Sequence, residues 1–323
     1  MKAFDYLRPE SIADAQELID ARRLPLAGGT DLVPLLKEGM REPAALVDIK
    51  RTGLPSGVRK DDDAISLGAL TTLSELERDS LLRELFPLLG EAARLTATRQ
   101  LRNRATIGGN LLQASRCWYY RHPDLKCWLR GGEECFARNG RNERHAVMSK
   151  SPCVTVHPSD LAGCLLALDA SACLQSASGR RELPLNELLV VPSEAARTLH
   201  KLGDDELVTE VRIPLPRNTV RSTYLKAMSR EAWTFALVGV AAVLTVEGEG
   251  ITSASVVLNG VAPKPWRLAN PATNATPLPA AALLESLGEQ FERDALPLEH
   301  NAYKIPLARA LMAEAIDTLS RET

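Results

Sequence analysis

Two paired glycines, Gly28-Gly29 and Gly108-Gly109, constrain this chain more than any other feature. The first pair follows a short apolar run, Leu24-Pro25-Leu26-Ala27, and precedes a helical pattern that begins at Leu32. A strand that turns through glycine into a helix presents backbone N–H groups and a helix N-terminus, the geometry that binds phosphate. Glycine suits such a turn because a side chain would block the approach of the anion. The spacing is not G-x-G-x-x-G, so a Rossmann dinucleotide fold is disfavoured. The second pair lies in Thr106-Ile107-Gly108-Gly109-Asn110-Leu111, 80 residues further on. Thr106 and Asn110 add side-chain donors there. Together the two turns can grip a pyrophosphate and a ribityl chain from two sides, as an FAD held between lobes requires. Two unrelated tight turns are the alternative reading.

At 323 residues the chain is too long for one ordinary core. Residues 1–55 read as a small βαβ-like lobe: a helix over 11–22 opened by Ser11, the strand before Gly28, a helix from Leu32 and a strand at Leu46–Ile49. Residues 56–216 form a second lobe. It starts with a polar hairpin tip around RKDDD and a strand at Ile65–Ala69. Thr72 then caps a helix, and residues 80–103 are largely helical. Periodicity is lost over 114–150, a strand is expected at Cys153–Val156, and Pro158-Ser159-Asp160 opens an apolar helix ending near Leu168. Pro214, Pro216 and Asn218 mark a linker. Residues 220–323 then read as strands followed by a helical tail from Ala280, an α+β domain. A net charge of −2 gives no footing for nucleic acid or an anionic membrane surface. No apolar run reaches the roughly 18 residues needed to span a bilayer. The N-terminal residues lack the apolar stretch of a signal peptide.

The six cysteines are unevenly placed. Cys117, Cys127, Cys135 and Cys153 fall in the irregular stretch with the spacing C-x9-C-x7-C-x17-C. Four thiolates suit zinc or an iron–sulfur cluster. Structural zinc sites favour tight CxxC knuckles, which are absent here. The loose spacing, with Arg116, Arg121 and Arg130 close by, suits a cluster whose negative charge cations offset. Zinc and unliganded thiols stay open as alternatives. Cys164 and Cys173 sit in GCLLALDASACLQ and read as small buried hydrophobes. His122 and His145 read as solvated loop histidines. No Ser-His-Asp arrangement or HExxH supports a hydrolase.

AGGTDL, RNRATIGGNL, HPSD and YLKAMSREAWTFALVGVAA, in that order, resemble the FAD-binding subunits of the xanthine dehydrogenase and carbon monoxide dehydrogenase family. The cysteine loop resembles the aldehyde oxidoreductase branch, whose FAD subunits carry an extra [4Fe–4S] cluster in an insertion. The fold this resemblance implies is α+β: a two-lobed FAD-binding domain of the vanillyl-alcohol-oxidase (PCMH) type, then an α+β C-terminal domain. The iron–sulfur loop would be inserted in the second lobe at about 114–153.

Carried over by residue, the resemblance implies that Leu26, Ala27, Gly28, Gly29, Thr30, Asp31, Leu32 and Val33 form the first FAD loop. Thr106, Ile107, Gly108, Gly109 and Asn110 form the second. Asp160 would bond flavin ribityl or ribose hydroxyls, Lys226 would lie near the isoalloxazine, and Val208 would be a further contact. Cys117, Cys127, Cys135 and Cys153 would hold the [4Fe–4S] cluster. The implied function is electron relay: a large molybdenum-cofactor subunit oxidises substrate, and a small [2Fe–2S] subunit passes electrons to this FAD and on to an external acceptor. Such a chain is cytoplasmic, or periplasmic if a signal-bearing partner carries it across the membrane folded. The competing readings are a zinc-stabilised binding or scaffolding protein and a stand-alone flavin oxidoreductase.

Overall fold

The computed structural model describes residues 1–248, 250–273 and 275–321. Its first lobe is a parallel three-stranded sheet in the order β1-β3-β2, built from β1 (Asp5–Leu7), β2 (Arg23–Leu26) and β3 (Ala45–Asp48). Parallel neighbours need helical crossovers. They are supplied by α1 (Ile12–Leu18) and α2 (Leu32–Lys37). Ser11 starts α1 with a reciprocal capping box to Asp14. A 3-10 turn, Ile49–Arg51, closes the lobe.

The second lobe is an antiparallel sheet in the order β4-β5-β8-β6-β7. Its strands are β4 (Val58–Lys60), β5 (Ala64–Gly68), β6 (Ser171–Ser176), β7 (Gly179–Pro184) and β8 (Leu207–Pro214). Six helices belong to it: α3 (Leu73–Arg78), α4 (Ser80–Leu85), α5 (Pro87–Leu95), α6 (Arg99–Arg102), α7 (Ile107–Leu111) and α8 (Asp160–Ala167). A short α9 (Leu185–Leu188) follows β7. Thr72 and Ser159 cap α3 and α8 by accepting from Glu75 N and Ala162 N. The apolar faces of α3, α5 and α8 meet the sheet in one buried cluster that includes Leu73, Leu89, Leu165 and Val211.

Between α7 and α8 the only helical segment among the described residues is the 3-10 turn Trp128–Arg130. The strand expected at Cys153–Val156 does not form. That segment makes single bonds instead, with Ala146 N donating to Val154 O and His157 N to Ala262 O, so no ladder builds. The C-terminal domain is an antiparallel sheet, β12-β11-β10-β9, from β9 (Arg221–Ala227), β10 (Val238–Glu247), β11 (Gly250–Asn259) and β12 (Trp266–Arg267). Its helices α10 (Ala280–Asp294) and α11 (Lys304–Arg321) cover the sheet. Val147 and Met148, from the cysteine loop, are part of that domain's core. No described helix is long and apolar enough to cross a membrane.

Candidate functional site

The end of β2 and the start of α7 meet across one cleft of about 360 Å³, within the size range of small-molecule sites. Leu26, Ala27, Gly28, Gly29, Thr30, Asp31 and Leu32 line one side. Thr106, Gly108 and Gly109 line another, and Val208 with Leu207 closes the floor from β8. Val33, Ile107 and Asn110 belong to the same segments but do not line the cleft.

The two glycine segments play different parts. The N–H groups of Gly28, Gly29, Thr30 and Asp31 donate to no acceptor among the described residues. Backbone donors of that kind are what an anion needs. The second segment is not a second amide cradle, contrary to the sequence expectation. It is the first turn of α7, capped by Thr106. Ile107 N donates to Thr71 O, Gly108 N to Ala69 O and Asn110 N to Thr106 O, while Gly109 N donates to Thr106 Oγ1. Its glycines serve packing: a Cβ on Gly108 would lie 3.2 Å from Ala69 Cβ and Ala69 O. Gly28 is also a packing glycine, because a Cβ there would overlap the Arg104 carbonyl. Gly29 has φ +72°, the left-handed region that favours glycine.

Asp160 and Lys226 do not line this cleft. They form a buried ion pair at 2.7 Å with side chains 4% and 1% exposed. Asp160 Oδ1 also accepts from Tyr224 Oη at 2.6 Å and Oδ2 from Thr96 Oγ1 at 3.1 Å. Lys226 Nζ donates to Leu95 O as well. The pair is tied to the α7 segment, since Ser159 Oγ, beside Asp160, donates to Asn110 Oδ1 at 2.5 Å. Three neighbours had no sequence signal. Arg41 and His200 line the cleft, and Lys50 backs the first turn through Leu26 O and Ala27 O. Each stands alone in aperiodic sequence and is brought in only by the fold.

The four loop cysteines are free and lie within electrostatic range of one another. Cys117 feels the charges of Cys127 and Cys135, and Cys153 those of Cys135 and Cys127. Cys135 and Cys153 share a hydrogen bond. Neighbouring backbone N–H groups favour the thiolate at each sulfur: Tyr119 and Tyr120 at Cys117, Leu129 and Arg130 at Cys127, Ala137 and Val154 at Cys135, Thr155 at Cys153. Burial pushes the Cys117 thiol up to about 12 and raises Cys127. The bond to Cys153 draws Cys135 down to about 6, and the same bond, with burial, raises Cys153. The raised thiols, Cys117, Cys127 and Cys153, become thiolates only beside a positive centre. Among the described residues no three His, Cys, Asp or Glu side chains converge tightly enough for a single metal ion. His145 is not solvated as its loop position suggests. It is 2% exposed, its Nε2 lies 3.1 Å from Cys117 Sγ, and burial, with Lys304 nearby, lowers its pKa to about 4. His122 is exposed as expected. Cys164 is fully buried, whereas Cys173 is only half-buried.

A two-lobed α+β cradle with an open row of amides, followed by an α+β sheet domain, defines a flavoprotein of the PCMH class with an appended C-terminal module. Residues 2–216 match the family described as FAD binding domain in molybdopterin dehydrogenase. Residues 223–319 match the CO dehydrogenase flavoprotein C-terminal domain. The chain is 33% identical over 98% of its length to the aldehyde oxidoreductase FAD-binding subunit PaoB of Escherichia coli K12, covering 98% of that protein. It is 26% identical over 82% of its length to the carbon monoxide dehydrogenase medium chain of Hydrogenophaga pseudoflava, covering 77% of it. Reconstituted CO dehydrogenase from Oligotropha carboxidovorans has a chain of the same fold, with a TM-score of 0.78 and 24% identity over 100% of this chain and 99% of that one. The chain belongs to the family of FAD-binding medium subunits of the CO dehydrogenase/xanthine oxidase-type molybdenum hydroxylases.

Proposed function

We propose that this chain is the FAD and [4Fe–4S] relay subunit of an aldehyde oxidoreductase-like molybdenum hydroxylase. It would assemble with a large molybdenum-cofactor subunit and a small [2Fe–2S] subunit and pass electrons to an external acceptor. The observation that carries the reading is the row of N–H groups from Gly28 to Asp31, without acceptors among the described residues, in a cleft shared with Gly108 and Gly109. When bound, FAD supplies an acceptor of single electrons that can be emptied in pairs.

The residues present fit that group. The Gly28–Asp31 amides would hold the diphosphate, with Arg41 and His200 in the same wall. Leu26, Leu32, Leu207 and Val208 give the cleft apolar lining. Asp160 and Lys226, tied to α7 through Ser159 and Asn110, would set the polarity of the flavin end. A [4Fe–4S] cluster on Cys117, Cys127, Cys135 and Cys153 would add a one-electron station in the same subunit. The donor set supports it: N–H groups aimed at all four sulfurs stabilise thiolates, and Arg130 and Arg138 add positive charge at Cys127 and Cys135. A cluster spreads its thiolates over several irons, so it does not need the tight convergence that a lone zinc ion demands.

Purified full-length chain is expected to show the visible flavin spectrum and to contain iron with acid-labile sulfide. Cys127→Ser is expected to lose the iron while retaining flavin in excess FAD. Zinc in place of iron, or an unchanged iron content in Cys127→Ser, would remove the cluster from this reading. A colourless protein that binds no FAD would remove the flavin.

A further inference from the structure

Asp31 belongs to two places at once. Its backbone is the last of the four open amides, and its side chain leaves the cleft for the cysteine loop. Asp31 Oδ2 accepts from Ala114 N at 2.8 Å, 83 residues away. Asp31 Oδ1 accepts from Arg121 Nη2 at 2.6 Å and lies 2.8 Å from Arg116 Nη2. These arginines bracket Cys117. Arg116 precedes it, and Arg121 N donates to Cys117 O at 3.0 Å. Arg121 Nε also fixes Ser115 O at 2.8 Å. The ion pairs are well shielded, with Asp31 15%, Arg121 13% and Arg116 26% exposed, so solvent screens them less than surface pairs.

We infer that the Arg116–Asp31–Arg121 clasp couples the cysteine loop to the phosphate cradle, so that filling either site strengthens binding at the other. The inference rests on the flavin and cluster reading above. Two guanidinium groups share the Asp31 carboxylate, and Glu38 acts on Arg116 from further off. The clasp sits between two sites that each take up negative charge, a diphosphate and a set of thiolates. Arg116 Nε is buried with no acceptor among the described residues, a donor left open on the same side chain. The loop around Cys117 is held by single bonds rather than by a sheet or long helix, so ligation of its sulfurs would stiffen the segment that carries both arginines. The arginines in turn fix the Asp31 end of the amide row. Asp31, Arg116 and Arg121 are positioning residues in this arrangement, and binding linkage makes their effect reciprocal.

The test compares FAD dissociation constants of the full chain before and after the cluster is stripped with ferricyanide and EDTA, with iron measured in both samples. Wild-type protein is expected to bind FAD roughly tenfold more weakly once stripped. In Asp31→Asn and Arg121→Gln both constants are weaker, and the difference between them shrinks to less than about twofold. Equal constants for loaded and stripped wild-type protein would overturn the coupling while leaving both cofactors in place. Absence of iron from the starting protein would instead overturn the cluster reading. If the stripped protein does not stay folded, the reciprocal measurement decides: FAD is expected to slow iron loss to the chelator in wild type but not in Asp31→Asn. Equal rates with and without FAD in wild type would sink the proposal.

Discussion

Gly28 shows how much a single missing methyl group controls. The expected reason for glycine here is room for an anion, yet the structure gives a stronger one. The position where a Cβ would stand is already taken by the Arg104 carbonyl, so this glycine lets the first lobe close on the segment leading into α7. Gly28→Ala must push the two segments apart. Overpacking of this kind costs about 1–3 kcal/mol, and here it also widens the cleft. Gly28→Ala is expected to lower the urea midpoint and to weaken FAD binding together, read by fluorescence titration. A variant that lost neither would mean that the two segments do not need their present contact. Gly39 also has positive φ, but a Cβ there would meet nothing within 4 Å. It gives a comparison site where substitution should strain only the local backbone.

At the scale of elements, what was legible in the sequence was local. Ser11, Thr72 and Ser159 announce α1, α3 and α8 because capping is decided within three residues. Pro279 marks the start of α10 by its position alone, with no side-chain cap bond. The three-residue β1 leaves almost no pattern, and its pairing with β3 is non-local. The Thr106 cap hid in plain view: two glycines suggested a turn, but Thr106 Oγ1 accepting from Gly109 N makes them the opening of α7. The candidate cleft was half legible, since glycine turns and cysteines show in the sequence. The contacts joining them, such as Asp31 to Arg121 across 90 residues, do not. Helix α11 carries a consequence of this kind. Its first residue, Lys304, is fully buried and donates to Gly260 O at 2.7 Å. A charge there opposes the helix dipole, and burial lowers its pKa from 10.5 to about 7. Between those values the unfolded chain holds the extra proton, so stability rises with pH across that window, and the cost of charging is complete below about 7. Urea midpoints measured between those limits are expected to climb more steeply in wild type than in Lys304→Met. Equal slopes would show that Lys304 titrates alike in both states.

The whole molecule is held together where charge is hardest to bury. The FAD-binding lobes and the C-terminal domain meet along α5, α8 and β9, and polar groups fix their register. Glu91 on α5 accepts from Tyr224 N at 2.7 Å and from Thr223 Oγ1 at 3.0 Å. Asn259 Nδ2, at the end of β11, donates to Asp160 O at 2.9 Å. At the centre, Lys226 from β9 pairs with Asp160 at the start of α8. Burying two ions gains little by itself, but removing one partner strands the other. Lys226→Met leaves Asp160 with only Tyr224 and Thr96 as donors, at 3% exposure. It is expected to destabilise the FAD-free protein by about 3–5 kcal/mol. Adding Asp160→Asn to Lys226→Met removes the stranded charge and is expected to recover part of that loss. Urea unfolding of the three variants beside wild type measures the cycle. A double variant no more stable than Lys226→Met alone would mean that the pair is not what docks the two domains, and the weight would pass to Glu91 and Asn259.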